Sequence, residues 1–172
     1  DPIGLIVIRG MVATTVALLM YFVLRNRVSF RGMSPGGIFV MSVALLATAM
    51  LQLSAVKFIP VSLTALLFYT FPLFVAVYEF FFDKAPGHRS PMVFLYVALS
   101  FVGISVTLAP SIETTSPLGV GLALGAGLAM STTIIIGKHL LAKADVVSLT
   151  LCTNFITSLL AMGIALATGS QA

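Results

Sequence analysis

Charge is what this sequence has least of. Charged residues fill 8% of its 172 positions, where an ordinary soluble domain carries about 25%. So few charges cannot cover a water-facing surface, which excludes a typical soluble domain and makes lipid the expected solvent. Cysteine occurs once, at Cys152. A single thiol excludes an intrachain disulfide, and a core position is expected for it rather than a reactive one. Histidine occurs twice, at His88 and His139. Both fall in polar joints, so solvated side chains are expected and a metal site is not. Catalytic signatures are missing too, with no H-E-x-x-H and no G-x-S-x-G. Neither an enzymatic activity nor a cofactor is expected. Residue 1 is Asp rather than Met, and no basic stretch precedes the first apolar run. No signal peptide is read, and the chain is expected to be cut from something longer.

Apolar residues are what the sequence has instead, at 59%. They gather into stretches at roughly 3–24, 35–57, 60–82, 91–109, 117–137 and 146–168, each close to the ~20 residues a helix needs to cross a bilayer. The runs are too long for barrel strands and do not alternate polar with apolar. The expected fold is all-α, a polytopic transmembrane helix bundle of about six spans. Pro35, Pro60, Pro91 and Pro117 open four of the stretches, and Ser34, Ser90 and Ser116 stand just before three of them. Serine caps helices, and proline fits a first helical turn, where its missing N–H costs nothing. Pro110 and Gly169 mark two stops.

The basic residues sort by side. Loop 25–34 holds Arg25, Arg27 and Arg31, loop 83–90 holds Lys84 and Arg89, and loop 138–145 holds Lys138 and Lys143. If every stretch spans, these three joints share one side, which the positive-inside rule makes cytoplasmic. Asp1, Lys57 and Glu113 fall on the other side. A multi-pass protein of the cell inner (plasma) membrane is expected. The basic loops lack interleaved aromatics, so anionic lipid headgroups rather than nucleic acid are their expected partners. The joint at Phe58-Ile59 is too short for anything but an antiparallel helix pair.

A few polar groups interrupt the apolar stretches. The run FYTFPLFVAVYEFFFDK (68–84) contains Pro72 in mid-span and Glu79 near the cytoplasmic end. Pro72 removes one backbone hydrogen bond and bends its helix. Such a break either frames a midplane site or hinge, with Phe68, Tyr69 and Thr70 beside it, or serves packing alone. Glu79 lies seven residues on, on roughly the same face. It reads either as an interfacial carboxylate meeting water, Lys84 or Lys138, or as a proton acceptor at the inner mouth of a solute path. Arg9 either snorkels outward or neutralises an anionic solute, while Lys57 reads as interfacial. Gln52 and Asn154 either hydrogen-bond between helices or line a cavity. The segment GVGLALGAGLA (119–129) lacks a preceding strand and a following Lys-Ser/Thr, which excludes a phosphate loop. Its Gly121, Gly125 and Ala129 are expected to pack closely on a neighbouring helix, as is Gly103 in the fourth stretch.

The two ends resemble each other. DPIGLIVIRGMVATTVALLM (1–20) overlays DVVSLTLCTNFITSLLAMGI (145–164), which would give a five-helix repeat whose second copy is inverted in the membrane. AVKFIPVSLTALLFYTFPLFVAV (55–77) resembles the helix 3–4 signature of the EamA family, in the drug/metabolite transporter superfamily. That signature has a small residue and Lys, an aromatic, a short turn, then A-L-L-F-x-x-x-P-L-F-V-A. VALSFVGISVTLAP (97–110) resembles the family's fifth helix, and GLALGAGLAMSTTIIIGKHLLAKADVVSLTLCTN (121–154) the start of its second repeat. The resemblance implies an inverted five-plus-five arrangement of which this chain holds helices 2 to 7. Residues 1–110 would then be most of the first repeat, with four spans and the first helix missing, and 117–172 the start of the second, with two. Asp83-Lys84 departs from the family's usual Gly-Glu. The implied activity is alternating-access transport of a small metabolite or drug-like solute. Phe68, Tyr69, Pro72, Glu79, Arg9, Gln52 and Asn154 are the solute-path candidates. A non-transporting helix-packing or scaffold subunit is the alternative.

Overall fold

The computed structural model describes residues 2–23, 34–82, 95, 98–99, 102–103, 106, 116–142 and 144–167. Among these the chain is helical apart from short joints. Its helices are α1 (Pro2–Val23), α2 (Pro35–Ala55), α3 (Val61–Phe68), α4 (Phe71–Phe82), α5 (Pro117–Leu141) and α6 (Val146–Ala167). Four segments are long and apolar enough to cross a membrane: Pro35–Ala55, Val61–Phe82, Pro117–Leu141 and Val146–Ile164. The outward faces of the helices are apolar, unlike those of a soluble protein. The largest fully buried side chains are Thr64, Ser42 and Ser148, while Phe22, Phe39, Phe81, Phe82 and Leu166 are exposed. Apolar groups turned outward and hydroxyls turned inward suit a hydrocarbon solvent. The chain is therefore a multi-pass membrane protein.

Local chemistry sets the helix ends. The Gly37 amide donates to Ser34 Oγ at 3.4 Å, and the Val120 amide donates to the Ser116 carbonyl at 3.2 Å. Asp145 caps α6, its carboxylate accepting from the Val147 amide at 3.2 Å. Helix α5 continues to Leu141, beyond its expected end at 137, because Leu140 is buried in the core. Lys138 and His139 thus stand in its last turn rather than in a loop, where the Lys138 cation faces the negative end of the helix dipole. Residues 25–33 and 83–90, with Glu113 and Lys143, lie outside the described residues.

The chain forms two compact units, which draw on both of the expected repeats. One comprises 1–50 and 132–172, the other 51–131. In the first, α1 packs along α6. Ile38, Leu140 and Leu149 make its core, flanked by Met41, Ile136, Cys152 and Ile156. A ladder of hydroxyls joins α2 to α6. Ser42 Oγ lies 3.3 Å from the Thr153 carbonyl, and Thr157 Oγ1 lies 3.3 Å from the Ser42 carbonyl. Each also bonds within its own helix, at 2.8 Å and 2.7 Å.

In the second unit, Ala55, Ile59, Leu63 and Ala123 form the core, with Leu67 and Leu122 against it. The α2–α3 joint closes on one carbonyl, that of Ala55, which accepts from the amides of Phe58 and Ile59 at 2.9 and 3.1 Å. A methyl group at Gly119 would lie 2.7 Å from Ile59 Cγ2 and 2.9 Å from Phe58 Cβ. Glycine is what lets α5 start against that joint.

The small-residue stripe that α5 buries in this unit is Gly119, Ala123, Gly127 and Ser131. It is two residues, about 200° of helix rotation, away from the expected register. On the other face Gly121 is exposed with nothing within 4 Å of an added methyl, Gly125 meets Leu51 at 3.6 Å, and Ala129 is half-buried. Leu95, Ala98, Leu99, Val102, Gly103 and Val106 are helical and exposed. Their spacing puts them on one helix face, where a methyl at Gly103 would meet nothing within 4 Å.

Candidate functional site

The 22-residue stretch Val61–Phe82 is one apolar span in two helical pieces. It breaks at Tyr69–Thr70, just ahead of Pro72, with 8 residues in α3 and 12 in α4. Proline dictates the place. In an unbroken helix its ring would press on the carbonyl of residue 68, and that carbonyl would have no N–H to receive. Breaking the chain puts Pro72 in the first turn of a new helix, where the missing N–H is harmless.

The break has its own hydrogen bonds. The Tyr69 amide donates to the Ala65 carbonyl at 2.9 Å, the Thr70 amide to Leu67 at 3.2 Å, and the Leu73 amide to the Thr70 carbonyl at 2.9 Å. Thr70 Oγ1 donates to the Leu67 carbonyl at 2.7 Å. The Phe68 carbonyl loses the donor that residue 72 would have supplied. Helix α5 reaches the break from the side. Ser131 Oγ lies 3.0 Å from the Phe71 carbonyl and 2.8 Å from the Gly127 carbonyl, so its one proton is offered to two acceptors. At Gly127 an added methyl would sit 3.4 Å from the Phe68 carbonyl oxygen, 3.5 Å from Thr70 Oγ1 and 3.6 Å from Phe74 Cε2. Thr70 is only 4% exposed, whereas Tyr69 is 61% exposed. The Phe68 ring is tilted against those of Tyr69 and Phe71, with centroids 5.8 and 5.6 Å away.

The structure thus brings Phe68, Tyr69 and Pro72 together at one backbone break. Glu79 is half-buried two turns further along α4, and Gln52 is half-buried near the end of α2. Asn154 belongs to the other unit, and its Nδ2 donates to the Thr150 carbonyl of its own helix at 2.9 Å. The backbone of Arg9 lies in α1, and its side chain lies outside the described residues. Sequence reasoning missed Gly127 and Ser131. The signal was available, since Gly119, Ala123, Gly127 and Ser131 recur at intervals of four.

A concavity lies in the other unit, between α1 and α6. It encloses about 360 Å³ and is lined by Met11, Thr14, Thr15, Phe155, Ser158, Leu159 and Met162. The two helices approach closely there, because an added methyl at Gly10 would collide with the Ser158 hydroxyl. All three lining hydroxyls donate within their own helices: Thr14 to Gly10, Thr15 to Met11 and Ser158 to Asn154, each at 2.8 Å. The walls of this cavity are otherwise apolar. Among the described residues no group of three His, Cys, Asp or Glu is placed to hold a metal ion.

No family model matches the chain, and neither a curated protein nor a solved structure matches it.

Proposed function

We propose that this chain is part of a transporter that moves a small metabolite or drug-like solute across the cell inner membrane by alternating access. The observation that carries the reading is the helix broken at Tyr69–Thr70. A span with an internal break exposes polar backbone in hydrocarbon, which is tolerated where that backbone is buried in protein or lines a cavity. Discontinuous helices of this kind form the solute and ion sites of secondary transporters, near the bilayer midplane. Tyr69 stands about 12 Å of helix rise from Val61, close to mid-depth of a ~30 Å hydrocarbon layer. The resemblance of 55–77 to the EamA signature supports the same reading, and its pattern runs through the break to Ala76. In this reading Phe68, Tyr69 and Pro72 form the site, Glu79 lies toward its inner mouth, and Gln52, Arg9 and Asn154 belong to the solute path. The chain contributes helices 2 to 7 of an inverted five-plus-five repeat, with its basic loops cytoplasmic.

The test is solute flux by the full-length protein reconstituted in vesicles. Flux of at least one solute from a broad metabolite panel is expected, and no flux for any member would contradict the proposal. Glu79→Gln, followed across pH, separates the two readings of that carboxylate. A flattened pH profile assigns it the proton, and an unchanged rate and profile leave it an interfacial group.

A further inference from the structure

The concavity between α1 and α6 belongs to a different unit from the helix break, and its two walls match in sequence. Laying 1–20 over 145–164 pairs Met11 with Phe155, Thr14 with Ser158 and Thr15 with Leu159. All of these residues line the space. Thr14 and Ser158 each stand near the middle of a 22-residue helix. The same lining chemistry, a large apolar side chain and then a hydroxyl one turn on, is thus built from both sides. The volume, about 360 Å³, falls within the ~300–1,000 Å³ of small-molecule pockets. No lining residue carries a charge, so an ion would lose its water there without gaining a counter-charge. Met11, Met162 and Phe155 supply soft surface, and thioethers pack well against aromatic rings. The hydroxyls of Thr14, Thr15 and Ser158 spend their protons on carbonyls of their own helices, each at 2.8 Å. The polarity they offer is therefore that of lone pairs. A lipid chain would leave those lone pairs unused. A neutral aromatic molecule with one O–H uses the apolar walls and the acceptors together.

We propose that the α1–α6 concavity binds a compact, neutral aromatic molecule with one hydrogen-bond donor, of the phenol class. Its ring packs against Met11, Met162 and Phe155, and its O–H donates to a lining hydroxyl. Met11, Phe155, Leu159 and Met162 are all exposed at the rim, so a molecule dissolved in the bilayer enters from the side. The site stands whether or not the chain moves a solute. Leu159 is 47% exposed, so the fold tolerates a larger side chain there while the space narrows.

The experiment follows the thermal unfolding midpoint of the purified full-length protein in micelles at neutral pH, with naphthol or its methyl ether at equal concentration. The two share a ring system, and only naphthol has an O–H. At several-fold its Kd, naphthol raises the midpoint by about 2–4 °C, and the ether raises it by clearly less. Leu159→Phe, which narrows the space, loses both shifts. Thr14→Val combined with Thr15→Val keeps the side-chain shapes and removes two acceptors, so the naphthol shift falls toward that of the ether. Each variant carries the test should the other not fold. No shift with naphthol, or a shift that survives both variants, overturns the site. Equal shifts with naphthol and the ether overturn it as well, because the hydroxyls then play no part. Phospholipid that copurifies with the parent and is lost in Leu159→Phe makes a lipid chain the occupant and also overturns the proposal.

Discussion

The two compact units place similar hydroxyls, buried polar groups in an apolar chain, in different settings. In the unit of 1–50 and 132–172, helices stay intact and hydroxyls are added on top. Ser42 and Thr157 bond first within their own helices and then reach across between α2 and α6 at 3.3 Å. In the unit of 51–131, Pro72 has removed a backbone bond, and two hydroxyls bond beside that gap. Thr70 satisfies Leu67, and Ser131 reaches the Phe71 carbonyl at 3.0 Å. The first arrangement welds helices together. The second stands beside a joint where the Phe68 carbonyl lacks the N–H that residue 72 would have supplied. Similar side chains therefore carry different consequences when removed.

The largest effect is expected at the break itself. Pro72→Ala returns an N–H to residue 72, lets it donate to the Phe68 carbonyl and favours one continuous helix. Vesicle flux should fall on the order of tenfold to a hundredfold, while the thermal midpoint holds or rises. A variant that is both destabilised and inactive would speak for packing alone as the purpose of the break.

Next in size is the stripe on α5. Gly119→Ala forces a methyl to within 2.7 Å of Ile59 and 2.9 Å of Phe58, and overpacking of this kind costs about 1–3 kcal/mol. Gly121→Ala meets nothing within 4 Å and should be neutral or stabilising by up to ~1 kcal/mol through helix propensity. Unfolding of the two variants in mixed micelles measures the difference. Equal stability would show that the stripe is not the packing face.

The smallest effects compare one hydroxyl from each unit. Ser42→Ala and Ser131→Ala each remove a bond between helices worth about 0.6 kcal/mol in a membrane protein, so unfolding should barely separate them. Flux should, because only Ser131 touches the break. A Ser42→Ala variant with the larger loss of flux would move the working region to the other unit.

Much of this architecture was legible from the residues. Ser34-Pro35 and Ser116-Pro117 marked two helix starts to the residue, because a serine cap followed by proline has few other uses. The break near Pro72 was legible as a bend, but its position was not. Proline's clash lies with residue 68, four positions back, so the chain yields ahead of the proline rather than at it. The end of α5 was misplaced because Lys138 and His139 look like a loop, whereas burial of Leu140 holds the helix together past them. The packing face of α5 was missed for a different reason. Its sequence repeats small residues in two registers on opposite faces, and only Ile59, Phe58 and the α3–α4 break decide which one is used. Asn154 illustrates the limit for polar groups inside spans. Its amide has a bond four residues back in its own helix, an option that residue type alone does not distinguish from a bond to a neighbour.

The most direct test is the infrared band of the Phe68 carbonyl, isotope-labelled at that one position and measured in the parent protein and in Pro72→Ala. A helix broken at Tyr69–Thr70 gives a parent band away from the frequency of an α-helical carbonyl, and a band at that frequency once residue 72 regains its N–H. A parent band already at the helical frequency, unmoved by Pro72→Ala, would contradict the broken helix and with it the site built on it.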